Sequence, residues 1–133
     1  MTLQLKSVMT DLAAAAQPEL DAGRTAFPRP VEAPLPGDVV VGYPTEPIAH
    51  SQTFRRGLDR ATVPLFVICG PPQDEATQTA VSAWLASGSL IEAVEAYAGT
   101  WQSVLVRPVV IQEYTTPAGV TQMALRYDID VLS

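Results

Sequence analysis

Thr62-Val63-Pro64-Leu65-Phe66-Val67-Ile68-Cys69-Gly70, with the run that follows to Gly99, is the stretch that decides the fold. Val63 to Cys69 is apolar without alternation, the pattern of a strand covered on both faces. Pro64 lacks an amide hydrogen, so the start of this strand is expected at an edge or unpaired. Gly70-Pro71-Pro72 closes the strand and presets a helix start. Asp74 and Glu75 then fall in the first turn, where the helix dipole favours carboxylates. Thr77, Ala80, Val81, Trp84 and Leu85 share one helical face, with Trp84 expected as a core anchor. Gly88 suits the left-handed position after a helix. Ser89 and Glu92 match the S-x-x-E capping box of a second helix carrying Leu90, Ile91, Val94 and Tyr97, which Gly99 ends. The glycine before the first helix invites a phosphate-loop reading, and that reading fails. Two prolines remove amide donors, no Gly-Lys-Ser/Thr follows, and acidic residues crowd the helix start.

Upstream, Leu5, Val8, Met9, Leu12 and Ala16 recur at helical spacing, which predicts an amphipathic helix over 3–16, ended with the help of Pro18. Residues 19–37 carry Pro28, Pro30, Pro34 and Pro36 at short intervals. They read as a stiff linker, with a short strand near 24–27, and secondarily as a proline-rich ligand motif. Asp38-Val39-Val40-Val41-Gly42-Tyr43 is a β-branched strand stopped by Pro44 and Pro47. Residues 45–60 read as a long loop holding the only histidine, His50, and the cluster Arg55-Arg56-Gly57 with Asp59 and Arg60. A solvated turn with a local Arg–Asp pair and a contact to a partner both fit that cluster. His50 has no second histidine or cysteine near it, so it reads as a loop residue rather than a metal ligand.

Downstream, residues 103–115 read as a strand interrupted at Pro108, an edge or bulge signature. Thr116-Pro117-Ala118-Gly119 is a turn in which Gly119 takes positive φ. The last strand, 120–131, alternates. Met123, Leu125, Tyr127, Ile129 and Val131 face one way, and Gln122, Arg126, Asp128 and Asp130 the other. Asp128 and Asp130 stand roughly 7 Å apart by strand rise. A metal or acid–base pair there would need a histidine or a third carboxylate, and none accompanies them in sequence. An exposed charged strand face that resists edge pairing is the simpler reading.

The whole chain, 1–133, is therefore expected to form a single α+β domain. Its mainly antiparallel, mixed sheet carries an N-terminal helix and two consecutive central helices. A length of 133 residues and a hydrophobic fraction of 47% suffice for one core without metal or disulfide staples. The lone cysteine, Cys69, reads as a small buried hydrophobe. No run is long enough to span a bilayer, and no signal-peptide pattern opens the chain. A net charge of −6 argues against a DNA-binding regulator, which needs a basic footprint. The residues present no catalytic, cofactor or metal motif, so the expectation is a protein that is not an enzyme and holds no cofactor.

Val41-Gly42-Tyr43-Pro44, the run Thr53-Phe54-Arg55-Arg56-Gly57-Leu58-Asp59, the 63–69 strand, Ser87-Gly88-Ser89-Leu90-Ile91-Glu92-Ala93-Val94 and the C-terminal hairpin follow one another in a familiar order. Together they resemble the tail terminators, or minor tail proteins, of long-tailed bacteriophages of actinobacteria, over nearly the whole chain. Leu90 and Ile91 depart from that pattern, which has a small residue followed by valine. The resemblance implies a structural protein of the virion, assembled in the host cytoplasm and placed at the head–tail junction. It implies a six-fold ring of this chain that caps the tail tube, meets the tube protein on one side and the head-completion complex on the other, and lets DNA pass without sequence-specific binding. No membrane is implied. Charge complementarity then suggests a subunit or partner interface between His50, Phe54, Arg55, Arg56, Asp59 and Arg60 on the loop and Arg126, Asp128 and Asp130 on the last strand. The alternatives are another head–tail connector or tail-completion protein, and a small ligand-binding α+β domain with a concave pocket.

Overall fold

The computed structural model describes residues 3–50 and 59–132. Its elements are α1 (Leu5–Ala16), β1 (Ala26–Phe27), β2 (Val39–Val41), β3 (Ala49–His50), β4 (Asp59–Gly70), α2 (Glu75–Ala86), α3 (Ser89–Ala96), β5 (Ser103–Val106), β6 (Val110–Thr115) and β7 (Thr121–Leu132). The seven strands form one sheet in the order β1-β2-β4-β7-β5, with β3 also on β4 and β6 also on β7. Only β1 and β2 run parallel; every other pairing is antiparallel. This is the expected α+β domain with an N-terminal helix and two central helices.

The two 12-residue strands β4 and β7 are the spine. They pair from Arg60↔Leu132 to Gly70↔Met123, with a bulge between Ile68 and Gly70. Alternation then sorts the side chains. Val63, Leu65, Val67 and Cys69 of β4 and Leu125, Tyr127, Ile129 and Val131 of β7 join Val39 and Val41 beneath the helices. From above, α1 supplies Val8, Met9, Leu12, Ala13, Ala15 and Ala16, and α3 supplies Leu90 and Val94. Fully burying one such side chain is worth about 1.5–3 kcal/mol. By contrast α2 lies shallow: only Thr77 is buried, Trp84 is half-buried and Leu85 is exposed. Trp84 is thus a flank of the core rather than its anchor.

Several boundaries differ from the sequence reading. The strand expected from Val63 begins at Asp59, because the polar pair Asp59 and Arg60 already faces β3 and β7. Pro64 is therefore interior to a central strand. Its carbonyl accepts from the Gly42 amide at 2.8 Å, so its missing N–H points to the same side, where β2 has just ended at Val41. The loop expected over 45–60 contains β3. Gly88 sits at φ −96°, outside the left-handed region, and is itself the N-cap residue of α3. The Ser89 side chain makes no cap bond; the Ser89 amide instead donates to Ser87 Oγ at 3.3 Å. Gly70 is the glycine that the corner requires. Its φ is +127°, and a Cβ there would lie 2.6 Å from Thr77 Oγ1.

On the sheet face away from the helices, the proline-rich segment is an ordered cover. Val40, Phe66, Ile68 and Ala124 form a second small core, and Phe27, Val31 and Tyr114 pack on it. Phe66 and Tyr114 meet with ring centroids 4.8 Å apart. Gln122 Nε2 donates to the Pro34 carbonyl at 3.1 Å, tying the cover to β7. The clamp at the other end is Asp38, only 5% exposed. Its Oδ1 accepts from the Thr25 amide and its Oδ2 from the Leu35 amide, each at 2.9 Å. Gln17 likewise holds β1 to the end of α1, accepting from the Ala26 amide at 2.8 Å and donating to the Arg24 carbonyl at 2.9 Å. Removing the carboxylate strands two backbone donors at about 1–3 kcal/mol each. Asp38→Ala is expected to lower stability by about 2 kcal/mol or more, read as a lower urea midpoint with an unchanged slope.

Candidate functional site

Val31 and Pro34 of the proline-rich segment meet one end of that face, at Phe66, Ile68, Ala124 and Gln122. Beyond Phe66 the face is made of the buried Thr62 and Pro64 of β4 and the part-buried Arg126, Asp128 and Asp130 of β7. The register sets them opposite one another as Thr62↔Asp130, Pro64↔Asp128 and Phe66↔Arg126. Leu105 of β5 lies opposite Asp130, and Val110 of β6 opposite Arg126, so both stand on this face at its outer edge. They are 61% and 47% exposed, and so present apolar surface beside the charges.

The charges are settled within the chain. Arg107 sits in the break between β5 and β6, where its amide donates to the Asp128 carbonyl at 2.8 Å and keeps it in line with β7. Its guanidinium forks onto Asp130, with Nε to Oδ2 and Nη2 to Oδ1, both at 2.9 Å. The same group reaches Glu46 at 3.1 Å and donates to Thr62 Oγ1 at 3.2 Å. Thr62 Oγ1 donates in turn to Asp130 Oδ1 at 2.7 Å. A separate pair forms two residues away, Arg126 Nε to Asp128 Oδ1 at 2.7 Å. Burial acts to raise the Asp130 carboxyl, but the bonds from Arg107 and Thr62 and the charges of Arg107 and Arg60 outweigh it and hold the group below the usual carboxylate range. The Asp130 and Glu46 carboxylates hold Arg107 above its ordinary value against the pull of desolvation. Arg60, Leu105, Arg107, Asp130 and Leu132 line an open depression of about 500 Å³ at this end of the sheet.

This arrangement changes the sequence reading of the site. Asp128 and Asp130 do share a face with Arg126, as alternation required, but each is already bonded to an arginine of its own chain. An arginine loop from another copy would meet neutralised carboxylates, so the charge-complementarity argument for that pairing loses its basis. Asp59 is buried at the start of β4, and its Oδ2 accepts from the Leu3 amide at 2.7 Å. Its placement ties the N-terminus to the sheet. Arg60 is exposed on the same strand and lines the depression. His50 is brought beside Asp59 by strand pairing. Phe54, Arg55 and Arg56 lie outside the described residues. The residues that sequence reasoning missed are Arg107, Glu46 and Thr62. The only signal for Arg107 was its position just before Pro108, at the break of an edge strand.

Among the described residues, no group of three or more His, Cys, Asp or Glu could hold a metal ion. No helix among them is long and apolar enough to cross a membrane. A comparison of the chain with protein-family models finds no match, and neither does a comparison with curated proteins.

Asp130 gives the site a pH signature. Its pKa is lower folded than unfolded, so through that window the unfolded chain binds more protons and stability rises with pH. The contribution is complete above about pH 5 and is lost progressively below about pH 4. Asp130→Asn is expected to flatten the acid limb of the stability curve, measured by urea denaturation from neutral pH to pH 3, while leaving its shape near neutrality unchanged.

Proposed function

We propose that this chain is a tail terminator of a long-tailed bacteriophage, a structural virion protein that closes into a ring, stops the tail tube and offers a joining surface to the head-completion complex. The observation that carries the reading is the charged end of the sheet with its exposed apolar outer edge. A buried aspartate and four prolines cover the apolar end of one face, and at the charged end the exposed surface is confined to the outer edge, beside an open depression. That end carries paired, part-buried charges flanked by two exposed apolar side chains, Leu105 and Val110.

Such a surface suits protein contact. Ion pairs completed within one subunit bring no unpaired charge to an interface, which is the costly case. The apolar side chains beside them supply area without large patches that would aggregate the free subunit. The order of elements supports the same reading, since helix, linker, strand, central strand, two helices and long hairpin follow the pattern that suggested the family. The ring's neighbours are then the tail tube protein and a connector protein, and its place is the head–tail junction. The chain's charge of −6 fits a passage that DNA crosses without being held.

Purified recombinant chain is expected to show a solution mass several times that of the monomer by light scattering, and closed rings of about six copies in negatively stained micrographs. A strictly monomeric chain across the micromolar range would remove the ring reading.

A further inference from the structure

The sheet has two edges, and they complement each other. At the β1 edge, α1 and the segments after β1 and β2 enclose a groove of about 310 Å³. Leu5, Met9, Pro28 and Tyr43 supply its apolar walls, and Lys6 and Arg29 stand at its rim. Tyr43 is 59% exposed. Neither Lys6 nor Arg29 has a carboxylate partner among the described residues. At the opposite edge, β6 presents Ile111, 48% exposed, and two residues on, the exposed Glu113. Ile111 lies opposite Leu125 and Glu113 opposite Met123, so both project to the helix-bearing side, roughly 7 Å apart. Glu113 also has no cationic partner among the described residues.

We infer that the β6 edge of one copy docks in the α1 groove of the next, with Ile111 against Leu5, Met9 and Tyr43, and Glu113 between Lys6 and Arg29. The occupant is a second copy because both halves of the match lie on this chain. Among the described residues, the groove offers two unpaired cations over an apolar floor, and the edge strand offers an unpaired carboxylate beside an apolar side chain. The two sites lie at opposite ends of the strand order, so one copy cannot satisfy its own groove. The contact is head-to-tail and heterologous, the kind that closes into a ring or extends into a filament. It rests on the ring reading only in taking self-association as the outcome, and it replaces the arginine-loop contact that the neutralised face disfavours.

A charge-swap cycle tests it, read as solution mass by light scattering over a concentration series. All the positions are surface positions, and matching thermal melts check that each variant folds. Lys6→Glu with Arg29→Glu, and separately Glu113→Lys, are expected to weaken self-association about tenfold or more, since each sets like charges together. Combining all three substitutions in one chain restores the attraction with reversed sign and is expected to return the mass toward that of the unaltered protein. Ile111→Ala is expected to weaken assembly without a charge change. Rings that persist unchanged in the single-sided variants, or a triple variant that fails to recover, would overturn this contact and leave the ring reading standing. Open chains of copies that obey the swap cycle would support the contact and remove the ring reading. A monomeric unaltered protein would overturn both.

Discussion

The fold depends on the register between β4 and β7. Leu65 opposite Tyr127, Val67 opposite Leu125 and Val63 opposite Ile129 place an apolar ladder beneath α1 and α3. A slip of one residue would exchange the faces of a whole strand. On β7 it would drive Arg126, Asp128 and Asp130 under the helices and lift Leu125, Tyr127 and Ile129 into solvent. Burying that many charges costs several kcal/mol apiece even when they are paired. The charged residues thus work as register markers before they do anything else. The bulge between Ile68 and Gly70 ends the pairing and turns the chain into α2.

From that register follow the two characters of the other face. At the end where β4 finishes it is apolar, with Val40, Phe66, Ile68 and Ala124, and it needs a lid. A helix there would repeat the layer on the first face. The chain uses instead a proline-rich segment, whose missing amides leave fewer backbone donors to satisfy. Of those that remain, the Leu35 amide is met by Asp38 and the Gly37 amide by the Ile68 carbonyl, while the Pro34 carbonyl is met by Gln122. Toward the other end the face is polar, and Arg107 plays the corresponding part, joining β7 to Thr62 and to Glu46 beyond β2. One end of the face is closed by a lid held with hydrogen bonds, and the other is settled by ion pairs within the chain.

How much of this was legible in the sequence follows from how local each signal is. The helix α1 and the strand β7 were plain, because a 3.6-residue or two-residue period survives in any context. The break at Pro108 and the positive φ of Gly119 were plain too, since both are properties of single residues. What failed were signals that share a residue type with a competing role. Ser89 matched a capping box by spacing, yet the chain enters α3 so tightly that Ser89 is already helical and Ser87 supplies the oxygen. Asp59 and Arg60 looked like loop because charge is rare in strands; pairing with His50 and Ala49 of β3, and of Arg60 with Leu132 far along the chain, makes them strand. The acidic face of β7 was read correctly as a face and incorrectly as free charge. Its neutraliser, Arg107, lies 23 residues from Asp130 in sequence, and no local pattern joins them.

The settled charges on the sheet sharpen where the chain's excess acidity resides. Between Ala61 and Val106 there is no lysine or arginine, whereas Asp74, Glu75, Glu92 and Glu95 all fall in that span. These four carboxylates are exposed, and they belong to the start of α2 and to α3. The negative field of the molecule is therefore carried largely by the central helices, while the charged end of the sheet face is close to neutral. In the proposed ring the two surfaces divide the work. A neutral face with apolar edges suits contact with other proteins, because it brings few bare charges to be desolvated. An acidic helix layer repels a phosphate backbone at any distance shorter than about 10 Å of screening. The strand and two helices that fix the fold would then also carry the surface that DNA passes without being held.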